Sequence, residues 1–374
     1  MRERLMSSLE LPNGWRECKL DSLIEIKYGK DHKLLDDGDI PVYGSGGVMR
    51  YANQALYDKE SILIPRKGTL GNIFYIDKPF WTVDTIFWSK IDSNKIFGKF
   101  LFYKLKTLDL ASYNVGSAVP SLTTKILNEI EINLPPLAEQ KAIAEVLSSL
   151  DDKIDLLHKQ NQTLEDMAQT LFREWFIEKA DEGWEEVPLS EIVYHRKDNV
   201  KPQNTPSGLF KHYSLPSFDN GKVPISETGS DIRSNKYRLY SYSILVSKLN
   251  PKTPRVWDIY FEVEDNEICS TEFQVLQPKK KEYFPFVSMF LKSNETTEIL
   301  SMSASGTSGS HQRVTAKDML SLKILKPCDS VILNFSEAVS PNFEKIHQNK
   351  KQIKTLEQTR DTLLPKLMSG QVRV

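Results

Sequence analysis

Apolar residues in the middle of the chain recur at alternating steps of four and three positions. Within the stretch 135–179 the repeating residues are Ile143, Leu147, Leu150, Ile154, Leu157, Leu164, Ala168, Leu171 and Trp175. This heptad spacing is typical of a helix that packs lengthwise on a partner helix. Asn161 occupies the one polar seam position, where we expect it to set the register. No Pro or Gly follows Pro136 in the stretch, so the pattern predicts a single helix of roughly 60 Å.

The same chain supplies a candidate partner helix 192 residues later. Eight residues of the first helix (Glu145, Lys153, Ile154, Gln160, Leu164, Glu165, Thr170 and Leu171) recur without a gap as Glu337, Lys345, Ile346, Gln352, Leu356, Glu357, Thr362 and Leu363. We predict the second helix over about 331–368, with a seam of Ile346, Ile353, Leu356, Leu363 and Leu367. Gly370 is a plausible stop for this helix. The chain is therefore predicted to be an internal duplication.

A block of short apolar runs, divided by Gly, Asp, Asn and Pro, precedes each helix. In the first block the pattern predicts strands at 40–43, 61–64, 73–76 and 85–88 and a helix over 97–110. Gly183-Trp184 repeats Gly14-Trp15 after 169 residues, whereas the run 243–246 repeats 61–64 after 182. Because the offset grows, we expect insertions inside the second block.

These elements predict an α+β fold with an internal pseudo-two-fold. Two similar mixed α/β domains would be joined by two long helices that pair as an antiparallel coiled coil. The predicted boundaries are 1–136 for the first domain, 137–180 for the first spacer helix, 181–328 for the second domain and 329–374 for the second spacer helix.

Composition changes this picture little. Of 374 residues, 40% are hydrophobic and 26% charged, and the formal net charge is -1, as in an ordinary globular protein. The three cysteines are far apart and form no CxxC, so neither a disulfide framework nor a zinc site is predicted. No signal peptide or membrane-spanning apolar run is evident, and we therefore expect a cytoplasmic protein with no membrane contact.

The motifs that catalysis would need are missing from the sequence. Asn133-Leu134-Pro135-Pro136 only superficially resembles the base-holding loop of an adenine methyltransferase, and no GxxxxGK[ST] run is present to hold ATP. Glu25-Ile26-Lys27 could belong to a nuclease site, but its repeat is Tyr194-His195-Arg196. The six histidines show no ligand spacing. We therefore expect a non-catalytic chain without a metal or cofactor.

Two similar heads held at a fixed separation suit duplex DNA, because dimeric DNA-binding proteins likewise set half-site spacing through their own geometry. A duplicated scaffold that binds no nucleic acid explains the pattern equally well. The repeats alone leave both interpretations open.

Several short motifs, in the same order in both halves, resemble the specificity (S) subunit of type I restriction–modification systems. They are the Gly14-Trp15 opening, Ile40-Pro41-Val42-Tyr43-Gly44, the run 64–71 (IPRKGTLG), the junction 134–140 (LPPLAEQ) and the terminal run 363–370 (LLPKLMSG). The resemblance covers nearly the whole chain. One departure is the second junction, where 327–332 (PCDSVI) lacks the Glu-Gln pair of the first, which makes it uncertain that the two docking surfaces are equivalent.

The resemblance implies a chain that binds double-stranded DNA at a bipartite asymmetric site. Each of two target recognition domains would bind one half-site, and the paired helices would act as the spacer. Two modification subunits with S-adenosylmethionine would dock on the helices and methylate adenine, and restriction/translocase subunits would use ATP to translocate and cleave. A duplicated coiled-coil scaffold, or an orphan specificity protein that directs no modification, remains the alternative.

For DNA contact we favour polar turns, where glycines let the backbone approach phosphates and Arg, Lys and Asn side chains reach base edges. These residues could equally be ordinary solvated turns. In the first domain the candidates are Gly44, Ser45, Gly46, Gly47, Arg50, Arg66, Lys67, Gly68, Thr69 and Asn72. In the second domain they are Lys248, Asn250, Lys252, Thr253, Arg255, Ser305, Gln312 and Arg313.

Overall fold

The computed structural model describes residues 11–114, 120–304 and 312–374. The chain divides into two compact units, which we call unit 1 (Met1–Asp155 with Ile353–Val374) and unit 2 (Leu156–Gln352). Each unit contains one of the two blocks and a part of each long helix.

Unit 1 contains three sheets among its described residues. β1 pairs with β9; β2, β8, β5 and β6 form a sheet in that order; and β4, β3 and β7 form another. The strands predicted at 40–43, 61–64, 73–76 and 85–88 are confirmed as β3, β5, β6 and β8. The predicted helix over 97–110 is shorter, because it ends before a separate 3₁₀ turn at Leu110–Tyr113. The elements are β1 (Arg16–Lys19), β2 (Ile24–Tyr28), β3 (Ile40–Gly44), β4 (Gly47–Ala52), β5 (Ser61–Pro65), β6 (Phe74–Ile76), β7 (Trp81–Thr82), β8 (Ile86–Ile91), β9 (Glu131–Leu134), α1 (Gly98–Lys106) and α2 (Thr124–Asn128).

The first long helix, α3, spans Leu137–Arg173 and continues as a π-helical turn over Glu174–Glu178. The prediction of one uninterrupted helix is confirmed up to this wider last turn. There Phe172 and Phe176 are buried, whereas the predicted seam residues Leu171 and Trp175 are only partly buried. The burial shifts because this end of the helix packs into an aromatic core, which covers a broader stripe than one partner helix would.

Unit 2 repeats the plan of unit 1 with a larger interior. β10 pairs with β20; β11, β19, β16 and β17 form one sheet; and β12, β15, β18, β13 and β14 form another. The elements are β10 (Glu185–Pro188), β11 (Val193–Arg196), β12 (Asn199–Val200), β13 (Leu209–Tyr213), β14 (Ile225–Thr228), β15 (Lys236–Arg238), β16 (Ser243–Ser247), β17 (Val256–Ile259), β18 (Glu267–Ser270), β19 (Phe273–Pro278), β20 (Lys323–Lys326), α4 (Leu215–Asp219), α5 (Phe284–Lys292), α6 (Asn294–Ser303), α7 (Ala316–Leu320) and the second long helix α8 (Asp329–Met368).

The four-stranded sheets show most directly that the blocks are repeats. β2-β8-β5-β6 and β11-β19-β16-β17 have the same order, and all pairings within both are antiparallel. In β5, Ile62 and Ile64 face the core shared with α1, while Leu63 faces the core below the other sheet. In β16, Ile244 and Leu245 divide between two cores in the same way. Both strands are buried on both faces, which explains their continuous apolar sequences.

The interiors diverge in the remaining sheets. The three-stranded sheet of unit 1 corresponds to a five-stranded sheet in unit 2, where β13 pairs antiparallel with β14 but parallel with β18. The extra strands lie before β16 and account for the growth of the offset from 169 to 182, whereas the later growth to 192 includes the segment of α6. The expected insertions in the second block are confirmed.

Contacts within unit 2 show that α3 and α8 run antiparallel. There Asn342 Nδ2 donates to Leu164 O at 3.1 Å and Asn349 Nδ2 donates to Asn161 Oδ1 at 2.8 Å. Residue numbers rise along α3 as they fall along α8. Asn161 therefore lies in the seam as predicted, bonded to a fully buried asparagine.

The predicted seam of α8 was incomplete. Its heptad steps begin earlier, at Ile332, Phe335 and Val339, and continue through Asn342, Asn349 and Arg360. The three polar residues bond to Leu164 O, to the Gln160 and Asn161 side chains, and to Asp151. These polar positions interrupt the apolar repeat of the sequence, although the partner helix supplies each with a hydrogen bond.

The Glu-Gln pair at the first junction forms its hydrogen bonds within unit 1. Gln140 is buried; its Oε1 accepts from Phe97 N–H at 2.8 Å and its Nε2 donates to Pro135 O at 2.8 Å. Glu139 accepts two hydrogen bonds from Arg373, at 3.0 and 2.7 Å. Both side chains therefore hold the start of α3 against its own unit.

The second junction achieves the same tether with different residues. The position of Gln140 is taken by the buried Ile332, and Asp329 instead accepts from the Tyr283 hydroxyl and from Lys280. Tyr283 precedes α5 as Phe97 precedes α1. The missing Glu-Gln pair thus reflects an alternative attachment of the long helix to its domain.

In the described part of the chain, no helix is both long enough and apolar enough to cross a membrane.

Candidate nucleic-acid interface

Two predicted turns of unit 1 lie side by side. β3 ends at Gly44 and β4 begins at Gly47, so the Gly44–Gly47 segment, with Ser45 and Gly46 at its tip, is a hairpin turn. Gly47 has a φ of 112°, a conformation that L side chains rarely adopt. Asn72, from the segment after β5, donates its side-chain amide to Ser45 O at 2.7 Å. The hairpin turn and the β5–β6 loop therefore form one edge of unit 1.

A third segment joins this edge. Leu122 N–H donates to Arg66 O at 2.9 Å, and Gly68 N–H donates to Pro120 O at 3.3 Å. Gly68 has a φ of 87°, which lets the loop turn directly after β5. The chain just before α2 is thus paired with the loop that carries half of the unit 1 candidates.

Of the two arginine candidates in unit 1, Arg66 has the less neutralised charge. Its guanidinium lies over the Tyr28 ring, 5.3 Å from the centroid, and makes one long hydrogen bond to Asp84 O at 3.4 Å. No carboxylate of the described residues forms an ion pair with it. Lys67 and Thr69 beside it are exposed. The arrangement can present a cation and an aromatic ring together to a phosphate or a base.

Arg50 lies in a different environment. It forms an ion pair with Asp37 at 2.7 Å and donates to Leu35 O at 3.1 Å. Its guanidinium supports the loop before β3, so it has fewer donors available for a ligand than Arg66.

Unit 2 builds an equivalent edge at the end of β16. Val314 N–H donates to Lys248 O at 2.9 Å, and Asn250 N–H donates to Gln312 O at 3.1 Å. These bonds repeat the pattern around Arg66 and Gly68, and Asn250, like Gly68, has a positive φ, here 49°. The predicted candidate Ser305, and the segments 115–119 and 305–311, lie outside the described residues.

Lys248 occupies the place of Arg66 but is more constrained. Its ammonium lies 5.3 Å from the Tyr237 ring centroid and donates to Thr271 O. Burial lowers the pKa of Lys248. Lys252 and Thr253, further along the loop, are exposed.

The remaining unit 2 candidates are partly occupied by their own domain. Arg255 makes a two-pronged ion pair with Asp219, at 2.7 and 3.0 Å, and Arg313 lies 3.3 Å from Glu272. Gln312 has a buried Oε1 without a hydrogen-bond partner. A buried acceptor that lacks a hydrogen bond is energetically costly. A ligand that donates a hydrogen bond to Gln312 Oε1 would therefore be favoured.

The sequence-based candidates did not include the polar layer beneath the unit 2 edge. His195 lies near Gln274, which is buried with its Oε1 unpartnered while its Nε2 donates to Val314 O at 3.4 Å. The equivalent residues of unit 1 are the apolar Ile26 and Phe87. His195 could have been noticed because it is a polar residue at an inward position of β11, where Ile26 stands in β2.

Unit 2 should be sensitive to mild acid. Burial lowers the pKa of His195, His212 and His347, and nearby lysines lower it further for all three, while Glu227 opposes the shift for His212. Because unfolded histidines titrate near about 6.5, the unfolded chain takes up protons first as the pH falls. The stability contributed by the neutral rings is therefore complete above that pH and declines below it.

We accordingly expect the urea concentration at the unfolding midpoint of unit 2 to decrease when the pH is lowered from 7.5 to 5.5. Urea denaturation at a series of pH values measures this change. Glu165 does not contribute in this window, because its pKa is lowered to about 2, so its stabilising effect is lost only in stronger acid. Replacing the three histidines with glutamine should flatten the dependence. An equally steep loss in that variant would contradict the assignment.

The chain is similar in sequence and fold to several known proteins. The family model for the "Type I restriction modification DNA specificity domain" matches residues 12–166. The chain is 27% identical to the type I restriction enzyme MjaIX specificity subunit of Methanocaldococcus jannaschii, over 98% of this chain and 95% of that protein. It is 21% identical to the HindI specificity subunit of Haemophilus influenzae, over 97% and 92% respectively.

A solved type I restriction–modification S subunit from M. genitalium has the same fold. The TM-score is 0.64 with 18% identity, and the match covers 96% of this chain and 98% of that one. Residues 12–166 therefore match the type I restriction–modification DNA specificity domain, and the chain as a whole is similar in sequence and fold to specificity subunits of type I restriction–modification systems.

Proposed function

We propose that this chain is the DNA sequence-recognition subunit of a type I restriction–modification complex and binds a bipartite asymmetric site. The observation that supports this best is the pair of equivalent edges, one per unit, built on sheets of identical strand order. One edge carries Arg66 and the other Lys248. Two edges of one design but different side chains suit two half-sites of different sequence.

Different side chains of each edge would contact different parts of the DNA. Exposed Lys67 and Lys252 would contact phosphates and position the protein, whereas Arg66 and the unpartnered Gln312 acceptor would contact base edges. The long helices would hold the two recognition domains apart. The chemistry would belong to partners, namely two modification subunits that bind S-adenosylmethionine and restriction/translocase subunits that use ATP, and this chain would hold no cofactor and perform no catalysis.

Mapping adenine methylation in the host genome tests the function. We expect a split motif to be methylated in the wild type, to lose methylation when this chain is deleted, and to regain it on complementation. Co-purification with a methyltransferase subunit should accompany this result. An unchanged methylome after deletion would favour an orphan specificity protein or a scaffold instead.

A further inference from the structure

A buried lysine in unit 2 connects the recognition domain to the long helix. Lys292, the last residue of α5, has a side chain only 14% exposed, and its ammonium donates to two carboxylates. One is Glu165 on α3, and the other is Asp258 on β17, at 2.5 Å. Asp258 also accepts from the buried Ser288 hydroxyl at 2.7 Å. The lysine thus joins two elements of the domain to the spacer helix.

The lysine charges around Glu165 keep this carboxyl group ionised. Although burial alone would raise it, the pKa of Glu165 is lowered to about 2 by the nearby charges of Lys292, Lys222 and Lys350. Buried ion pairs add little net stability, because removing charges from water offsets their attraction. They do, however, penalise every geometry in which a charge loses its partner.

The other contacts between the domain and α3 are made largely by aromatic side chains such as Phe172, Phe176 and Phe286, whereas the hydrogen bonds at Asp329 hold the domain to α8. Apolar burial is non-directional and tolerates small rotations or shifts of one surface over another. The bond from Lys292 to Glu165 is directional and would fix one orientation.

Unit 1 makes its connection by other chemistry. The lysine equivalent to Lys292 is Lys106, whose ammonium lies over the Phe102 ring at 4.8 Å. Instead, the Tyr103 hydroxyl donates to Asp151 on α3 at 2.6 Å. In both units a polar side chain of the domain helix therefore bonds to a carboxylate on the same long helix, and in unit 2 that side chain is a buried lysine.

We propose that Lys292 and Glu165 are positioning residues that set the orientation of the second recognition domain on α3, and through it the DNA gap at which the second half-site is accepted. The inference rests on the proposed function. Glu165 touches no DNA in this scheme and acts only through the domain that it holds.

The chain offers a matched pair of substitutions as the test. Glu165→Gln is nearly isosteric and removes the charge that links the domain to the helix, while the Lys292–Asp258 pair inside the domain remains. Asp258→Asn weakens that internal pair and leaves the link to α3. Each full-length variant would be assembled with its modification subunits and titrated with DNA duplexes that carry both half-sites. The gap between the half-sites would be the natural one, one base pair shorter or one base pair longer. The melting temperature of each variant would be recorded in parallel.

We expect wild type and Asp258→Asn to prefer the natural gap, and Glu165→Gln to lose about tenfold of that preference, as expected for one charge-assisted hydrogen bond. Its affinity for a duplex with only the second half-site should remain unchanged. A Glu165→Gln gap profile like that of the wild type, or an equal loss in Asp258→Asn, would overturn the inference while leaving the proposed function intact. Absence of any two-part site for the wild type would overturn both.

Discussion

Replacing Phe335 with alanine should lower the free energy of unfolding of unit 2 by about 3–5 kcal/mol. Phe335 on α8 is fully buried, and its ring centroid lies 5.0 Å from that of Phe176 and 6.1 Å from that of Phe172, both at the end of the first long helix. Truncation would leave a cavity among aromatic rings whose own positions depend on each other.

The measurement is urea denaturation followed by the fluorescence of unit 2. Leu333→Ala is the matched control, because this side chain lies two residues away on the same helix but is 38% exposed, and its loss should cost about 0.5 kcal/mol or less. If Phe335→Ala were no more destabilising than Leu333→Ala, the aromatic core would not be what holds the two long helices together in unit 2.

Arg66→Ala should weaken binding to one half-site about 5- to 150-fold and leave the other intact, as expected for a side chain that contributes 1–3 kcal/mol of base discrimination. Arg66 is suited to this effect because its guanidinium stacks on Tyr28 and forms an ion pair with no carboxylate of the described chain. Lys248→Ala, at the equivalent position of unit 2, should show the converse pattern.

Binding of the assembled complex to duplexes with one altered half-site distinguishes these effects. Lys78→Ala, an exposed lysine of unit 1 that lies outside the candidate edge, is the control and should change neither half-site by more than a small, uniform factor. Equal loss at both half-sites in Arg66→Ala would show that Arg66 acts on folding or on subunit docking.

The candidate edges were only partly predictable. Arg66, Lys67 and Gly68 stood out because a basic pair beside a glycine after a strand is a local signal. The pairing of this loop with Pro120 and Leu122, and the bond from Asn72 to Ser45, join segments far apart in the chain. No local pattern contains that information. The turns could therefore be predicted from the sequence, but their contacts with each other could not.

The buried charged and polar side chains were even harder to predict from the sequence than the candidate edges. The sequence does not single out Lys292 or Asp258, and it marks Glu165 only as part of the helix repeat, because each resembles a surface residue of its own element. Their burial follows from the meeting of α5, β17 and α3 at one point. Asn349 and Arg360 were missed for the same reason, since a polar residue in a seam is recognised only when its partner is known.

The sequence by itself determined the duplication, the two long helices and the strands β5 and β16, because heptad steps, apolar runs and the repeat of one helix sequence after 192 residues can be read along the chain. Only the tertiary structure decided the five-stranded sheet of unit 2, the tethers that replace Gln140 at the second junction and the ion cluster around Lys292. Those features depend on contacts between distant segments, whose free energy is not encoded in any single stretch of the chain.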